Sequence, residues 1–191
     1  RALTQALHAL RRDLGAEQEA FLGTNDLRLN PDLVSTDFGE FHQALASDDL
    51  ERAARAYRGP FLEGFHLPGA VSFERWMEEQ RGILAHEFEG LLGKLVVRCQ
   101  EHGDARGAIG WLRRLAALDP LNAQVAARLM GAQADAGDIA GALQHARIYE
   151  ALVRQELDLP PDRQVMELAE RLRRGQERPT GETQIGQGEI S

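Results

Sequence analysis

Hydrophobic residues recur with helical periodicity along most of the chain. In residues 2–14, four leucines are spaced by four, three and four positions: Leu3, Leu7, Leu10 and Leu14. This spacing places them on one side of an α-helix, and Gly15 follows where a helix commonly ends. From Ser35 onward, further helical segments follow one another, separated by turn signals such as Gly-Asp and Asp-Pro. The pattern therefore predicts an all-α protein.

One segment interrupts the helical pattern. Phe21-Leu22-Gly23-Thr24 and Leu27-Arg28-Leu29 flank the turn-forming pair Asn25-Asp26. Two short apolar runs on either side of such a pair are typical of a β-hairpin. We therefore expect a helix followed directly by a hairpin at the start of the chain.

An internal repeat indicates how the helices pack. Gly103-Asp104 recurs as Gly137-Asp138, an offset of 34 residues, and Gly107-Ala108 recurs at the same offset as Gly141-Ala142. Thirty-four residues is the period of the tetratricopeptide (TPR) helix pair. An Asp-x-x-x-Ala pair also occurs earlier, at Asp49 and Ala53. The spacing favours three TPR-like helix pairs, stacked as in a short solenoid, over a generic helical bundle.

Composition and charge exclude several classes of function for this chain. The chain has 191 residues, which is enough for one large domain or two small ones. Its net charge of −8 excludes a protein that binds nucleic acid over its whole surface. No apolar run is long enough for a membrane span, no signal peptide opens the chain, and its one cysteine suits a reducing compartment. We expect a cytoplasmic protein without a membrane partner. Because Arg1 already lies in a helical pattern, we also expect the chain to be part of a longer protein.

The polar side of the first helix carries the candidate DNA contacts. Four residues fall in a narrow stripe opposite the leucines: Arg1, Gln5, His8 and Arg12. Side chains of these types can reach base edges, and Arg28 on the hairpin could contact phosphate or the minor groove, since helix-then-hairpin is the order found in winged-helix DNA binders. The alternative is an ordinary solvated face, because residues 1–34 contain four arginines against five acids.

The segment from Arg58 to Phe65 is the candidate for a structural or partner-binding role. Gly59-Pro60 should end a helix near Tyr57, so that Phe61, Leu62 and Phe65 could insert between that helix and a long one starting near Phe73. Trp76 lies in an apolar helical stripe, which favours the protein core. The alternative is an exposed apolar patch for a protein partner, formed by Phe65, Leu67, Val71 and Trp76.

Catalytic and metal sites are not indicated. Cys99 and His102 have a spacing that suits zinc, but no second pair completes a tetrahedral site, so Cys99 is expected in the core. His86-Glu87 lacks the second histidine of the zinc-protease motif, and no glycine-rich phosphate loop occurs. We therefore predict no enzymatic activity, no metal and no cofactor.

Several segments resemble a known family of bacterial regulators. Leu10–Gly15 with the following hairpin is similar to the end of a response-regulator-type winged helix. The run Ala56-Tyr57-Arg58-Gly59-Pro60-Phe61-Leu62-Glu63-Gly64-Phe65 resembles the signature of the bacterial transcriptional activator domain (BTAD). Further segments resemble the same domain: Phe73-Glu74-Arg75-Trp76, Leu118-Asp119-Pro120-Leu121, Tyr149-Glu150 and Gln155–Pro161.

The resemblance implies both an architecture and a function. This domain follows a winged helix in SARP-type activators, so residues 1–34 would be the end of the winged helix, 35–175 the TPR-like activator domain and 176–191 a flexible tail or linker. Such a protein is a cytoplasmic activator, usually a homodimer, that binds promoter DNA through its complete winged helix and assists RNA polymerase. Ala9 stands where the family helix often has arginine, so the DNA contacts could differ. The alternative is a TPR-like scaffold in a bacterial signalling protein that binds only other proteins.

Overall fold

The computed structural model describes residues 2–23 and 27–176. Its first part contains helix α1 (Ala2–Leu14), a short 3₁₀ helix (Gly15–Ala20) and strands β1 (Phe21–Leu22) and β2 (Arg28–Leu29). The strands pair antiparallel, with Phe21 opposite Leu29. The helix and the hairpin predicted from the sequence are thus confirmed. Arg1, the predicted turn at Asn25-Asp26 and residues 177–191 of the predicted tail lie outside the described residues.

All the remaining elements of the described chain are helices, which confirms the all-α prediction. The helices are α2 (Asp37–Ala46), α3 (Leu50–Ala56), α4 (Val71–Glu101), α5 (Ala105–Leu118), α6 (Ala123–Asp135), α7 (Ile139–Leu157) and α8 (Arg163–Gln176). The chain forms two compact units, Arg1–Phe88 and Glu89–Ser191, and α4 contributes residues to both. We refer to them as unit 1 and unit 2.

The repeat seen in the sequence corresponds to one turn that occurs three times, between α2 and α3, α4 and α5, and α6 and α7. In each turn the backbone N–H of an aspartate donates to the carbonyl five residues earlier, at 2.8–2.9 Å. The aspartate carboxylate then accepts from the backbone N–H three residues later and so caps the next helix; these aspartates are Asp49, Asp104 and Asp138. The residue before each aspartate has a positive φ: Asp48 (57°), Gly103 (70°) and Gly137 (83°).

Small side chains complete the repeat four residues after each cap. Ala53, Ala108 and Ala142 are all almost fully buried, with at most 2% of their surface exposed. A larger side chain at these positions would force the helices apart, because protein interiors are close-packed. The sequence spacing therefore reflects a cap and a close helix contact, as expected for TPR-like pairs.

Removing one cap should destabilise unit 2 measurably. We expect Asp138→Ala to lower the free energy of unfolding by about 1–2 kcal/mol, since an N-cap carboxylate contributes that much. The Asp138 carboxylate also lies 3.5 Å from the amide nitrogen of the buried Gln133, which would lose this neighbour. Urea unfolding followed by circular dichroism measures the loss. Asp135→Ala is the control, because Asp135 is exposed at the end of α6; an equal loss in both variants would contradict the capping role.

Helix α8 closes the core of unit 2 by packing on α6 and α7. Val165 and Ala169 of α8 are fully buried in a cluster with Met130 and Tyr149. Burial raises the pKa of Tyr149, and a hydrogen bond with the backbone of Asp162 lowers it to a lesser extent. Tyr149 thus connects α7 to the chain that leads into α8.

Candidate DNA-contacting helix and partner-docking surface

Three of the predicted DNA-contacting residues lie on the exposed face of α1. Gln5, His8 and Arg12 are all exposed, whereas Leu7 on the opposite side is buried. Leu10, on the same apolar stripe, is exposed, so the stripe is only partly covered. Arg12 forms an ion pair with Asp13 at 3.6 Å, but both side chains are largely exposed and such a pair contributes little. The polar face of α1 therefore remains accessible to a ligand.

Arg11 fixes the hairpin to α1. Its guanidinium Nη2 donates to the carbonyl oxygens of Phe21, at 3.1 Å, and Gly23, at 2.8 Å. Hydrogen bonds from a charged donor are stronger than those between neutral groups. The helix and the first strand are therefore held as one piece. Sequence reasoning missed this role; the signal was the adjacent pair Arg11-Arg12, of which only Arg12 lies on the polar stripe.

Arg28 lies on the second strand of the hairpin. It is exposed and pairs opposite Leu22 across the two strands. The second strand thus presents a basic side chain to solvent. The structure places Arg28 on the same hairpin that Arg11 attaches to α1.

The segment after α3 is anchored to α4 at two points. Tyr57 stacks on Phe88, with ring centroids 4.0 Å apart and an interplanar angle of 11°. Further along, Arg81 donates from Nε to the carbonyl of Phe61 and from Nη2 to that of Leu62, both at 2.8 Å. These contacts confirm that the segment is held against the long helix, which begins at Val71, two residues before the predicted Phe73.

The side chains of this segment are more exposed than the sequence suggested. Leu62 and Phe65 were expected to insert between the helices, but both are exposed, and only Phe61 is half-buried. Leu62 has a left-handed backbone (φ 51°), and its carbonyl accepts from Arg81. The prediction that Trp76 lies in the core is also wrong, because 44% of its surface is exposed. Beyond Tyr57, the segment is therefore attached mainly through the backbone carbonyls of Phe61 and Leu62 rather than through buried side chains.

Aromatic rings form a continuous row on unit 1. Consecutive ring centroids lie 5.5–6.0 Å apart along the series Phe38, Phe61, Trp76, Phe73 and Phe65. Three of these side chains, Phe38, Trp76 and Phe65, are more than 40% exposed. Contiguous apolar surface of this kind commonly marks an interaction site.

Leu67 and Val71 are two further exposed apolar residues of unit 1. Leu67 is exposed, and Val71, the first residue of α4, is 69% exposed. Between them in the sequence, the His66 imidazole Nδ1 lies 2.6 Å from a carboxylate oxygen of Glu74, which links the segment to the first turns of α4. All four residues of the predicted patch are thus exposed in the same unit, and two of them, Phe65 and Trp76, each contact Phe73.

A cavity of about 330 Å³ lies beside the aromatic row in unit 1. Its wall includes the start of α2, the end of α3, the segment 58–63 and Leu84 of α4. Phe41, at the centre of the unit 1 core, contributes one side of it and contacts both Tyr57 and Phe88. This volume lies in the range of small-molecule sites.

A comparison with models of protein families assigns these features to one family. Residues 36–173 match the model of the bacterial transcriptional activator domain. The chain belongs to this family. The resemblance carried by the run from Ala56 to Phe65 is thereby confirmed, and it implies a domain of transcriptional-activator type. A comparison with curated proteins found no match.

The activator domain match begins at Thr36, the residue that caps α2 through its side chain. It ends within α8, and it includes the aromatic row, the cavity and all three repeated turns. Helix α1 and the hairpin precede the matched residues, so their assignment to a winged helix depends on their own geometry. None of the helices in the described ranges combines the length and apolar character needed to cross a membrane.

Titratable groups of the activator domain do not assemble into a metal site among the described residues. Cys99 is half-buried rather than in the core, with its Sγ beside Gly107 at the start of α5. Burial, and secondly the charge of Arg113, lower the pKa of His145 on α7.

Proposed function

We propose that this chain is part of a DNA-binding transcriptional activator, in which α1 is the recognition helix of a winged helix and β1–β2 is its wing. The observation that carries the proposal is the attachment of the hairpin to α1 through Arg11, with Gln5, His8 and Arg12 exposed on the polar face. A helix and a wing that move as one unit can be placed together on DNA. Their position directly before the activator domain supports the proposal.

In this proposal the exposed residues have distinct roles. Arg12 and Gln5 would bind base edges in the major groove, with Arg1 and His8 in the same stripe, and Arg28 would contact phosphate or the minor groove. Residues 1–34 would then be the end of the winged helix, 35–175 the activator domain and 176–191 a tail or linker. The remaining phosphate contacts would come from the complete winged helix.

The activator domain would act by binding protein. We propose that Phe65, Leu67, Val71 and Trp76 contact a protein partner, either RNA polymerase at the promoter or the second copy in a homodimer. The exposed aromatic row supports this role, because aromatic residues are enriched at the centres of protein interfaces. The net charge of −8 also discourages the helical domain from wrapping DNA non-specifically. Such a regulator would work in the cytoplasm, where bacterial promoters are.

The test is DNA binding by the full-length natural protein on genomic fragments, titrated over salt concentration. We expect selective binding that weakens steeply with salt, and we expect Arg12→Ala and Gln5→Ala each to weaken it by about tenfold or more, since a good base contact is worth ~1–3 kcal/mol. Arg106→Ala is the matched control, because Arg106 is an exposed arginine at the start of α5 and should leave binding unchanged.

A different result would favour the other candidate function. If the folded protein showed no selective DNA binding and the α1 variants behaved like the parent, the protein would be better described as a scaffold that binds only proteins. The exposed aromatic row is the feature that favours this second candidate. Loss of binding in Arg106→Ala to the same extent would show that the contacts are non-specific and would also contradict the proposal.

A further inference from the structure

We propose that the cavity of unit 1 binds a small organic cation. Such a ligand carries an ammonium group on an aromatic or aliphatic body. This inference goes beyond the proposed function, because it does not depend on DNA binding or on the docking surface.

Aromatic rings supply the binding surface. Two tilted ring pairs line the cavity, Phe38 with Phe61 at 6.0 Å between centroids and Phe41 with Tyr57 at 5.9 Å. Phe88 covers one face of Tyr57, so Tyr57 meets the cavity with its other face or its edge. The face of an aromatic ring attracts cations through its quadrupole, and cages of several rings recognise ammonium groups in this way.

The charges around the cavity favour a cation. Its lining residues include two acidic ones, Asp37 and Glu63, and one basic one, Arg58, a balance of two negative charges against one positive. The carboxylate of Glu63 lies against Gly59, where an added Cβ would come within 2.9 Å of Oε2. Gly59 therefore allows this carboxylate to sit close to the backbone at the edge of the cavity.

An anion would find fewer partners at the start of α2. The backbone N–H of Gly39 already donates to the Thr36 hydroxyl at 3.0 Å, and that of Phe38 donates to the Asp37 carboxylate at 2.8 Å. Helix N-termini bind anions through such N–H groups when the groups are available. Here the chain's own side chains occupy these two donors. Arg58 is the basic residue of the lining, and the nearby Arg81 guanidinium already donates to the carbonyls of Phe61 and Leu62.

The experiment titrates the full chain with phenyltrimethylammonium and follows backbone amide signals by nuclear magnetic resonance. We expect saturable shifts confined to residues 37–41 and 57–63. Glu63→Gln should weaken binding by about five- to tenfold, because it removes one of two attracting charges, at ~1 kcal/mol. Arg58→Gln should tighten binding, since it removes the repelling charge. Glu79→Gln, on the exposed surface of α4 in the same unit, is the matched control and should change nothing.

Two further probes separate the contribution of charge from that of shape. tert-Butylbenzene has nearly the same shape as phenyltrimethylammonium but no charge, and benzenesulfonate carries the opposite charge. Weaker binding of the first and no binding of the second would support the proposal. Equal binding of tert-butylbenzene, preferred binding of benzenesulfonate that Arg58→Gln abolishes, or no shifts with phenyltrimethylammonium at millimolar concentration would each overturn it.

Discussion

Replacing Phe88 by alanine is expected to lower the free energy of unfolding by about 3–5 kcal/mol, the range found for buried phenylalanines. Phe88 is 2% exposed, and its ring contacts two others, Tyr57 in a parallel stack and Phe41 edge-on at 6.5 Å. Removing the ring leaves a cavity between them and also removes the aromatic contacts. Urea unfolding of the chain, followed by circular dichroism and by tryptophan fluorescence, measures the loss.

Two variants on the same helix test whether the packing of the ring is responsible. Ile83→Ala removes an exposed side chain of α4 and should cost under about 1 kcal/mol. Phe88→Leu keeps much of the buried volume and should fall between the parent and Phe88→Ala. If Phe88→Ala cost no more than Ile83→Ala, the core of unit 1 would not depend on this ring.

The stack with Phe88 also gives a structural role to the tyrosine of the family signature. Tyr57 is the residue at which α3 ends, and its ring fixes where the chain leaves the helix. Gly59 and Pro60 then turn the chain, and Pro60 cannot donate a backbone hydrogen bond that would continue the helix. The signature therefore encodes a helix end, a turn and an anchor, and the cavity lies where these meet.

The repeat and the helix positions could be predicted because their signals are local. An aspartate cap and a buried alanine stand four residues apart in each turn, for example at Asp104 and Ala108, and both act within one helical turn. The pairing of the two strands was predictable for the same reason, since the paired residues Phe21 and Leu29 lie close together in the sequence. In each case the residues that form the contact are close in sequence.

The anchoring of the segment after α3 could not be predicted because it depends on distant residues and on the backbone. Arg81 lies 20 residues after Phe61, and it binds a carbonyl oxygen, which every residue has and which no side-chain pattern marks. Burial of Phe65 was predicted because Gly59-Pro60 ends the preceding helix, and burial of Trp76 because it lies in an apolar helical stripe. Neither signal shows whether another element covers the side chain. The row of rings that these residues form with Phe73 depends on contacts between the segment and α4, which became visible only in the structure.

Arg81→Met should release this segment and lower the free energy of unfolding by about 2–3 kcal/mol. The methionine keeps the apolar stem but removes the donors to the carbonyls of Phe61 and Leu62, and hydrogen bonds from a charged group contribute ~1.5–3 kcal/mol each before solvent exposure weakens them. Leu62 holds a left-handed backbone that is unfavourable for a leucine. Without Arg81, the chain gains freedom to leave this conformation, so amide hydrogen exchange should accelerate in residues 59–65 while unit 2 keeps its protection.

Two variants separate the hydrogen bonds from the charge of Arg81. Arg75→Met removes an exposed arginine from the same helix and should change neither stability nor exchange by a measurable amount. Arg81→Lys keeps the charge but cannot match the fork of two guanidinium donors, so it should recover only part of the loss. Full recovery by lysine would mean that charge alone, including the ion pair with Glu78, attaches the segment. Unchanged exchange in residues 59–65 of Arg81→Met would mean that the stack of Tyr57 on Phe88 holds the segment without the help of Arg81.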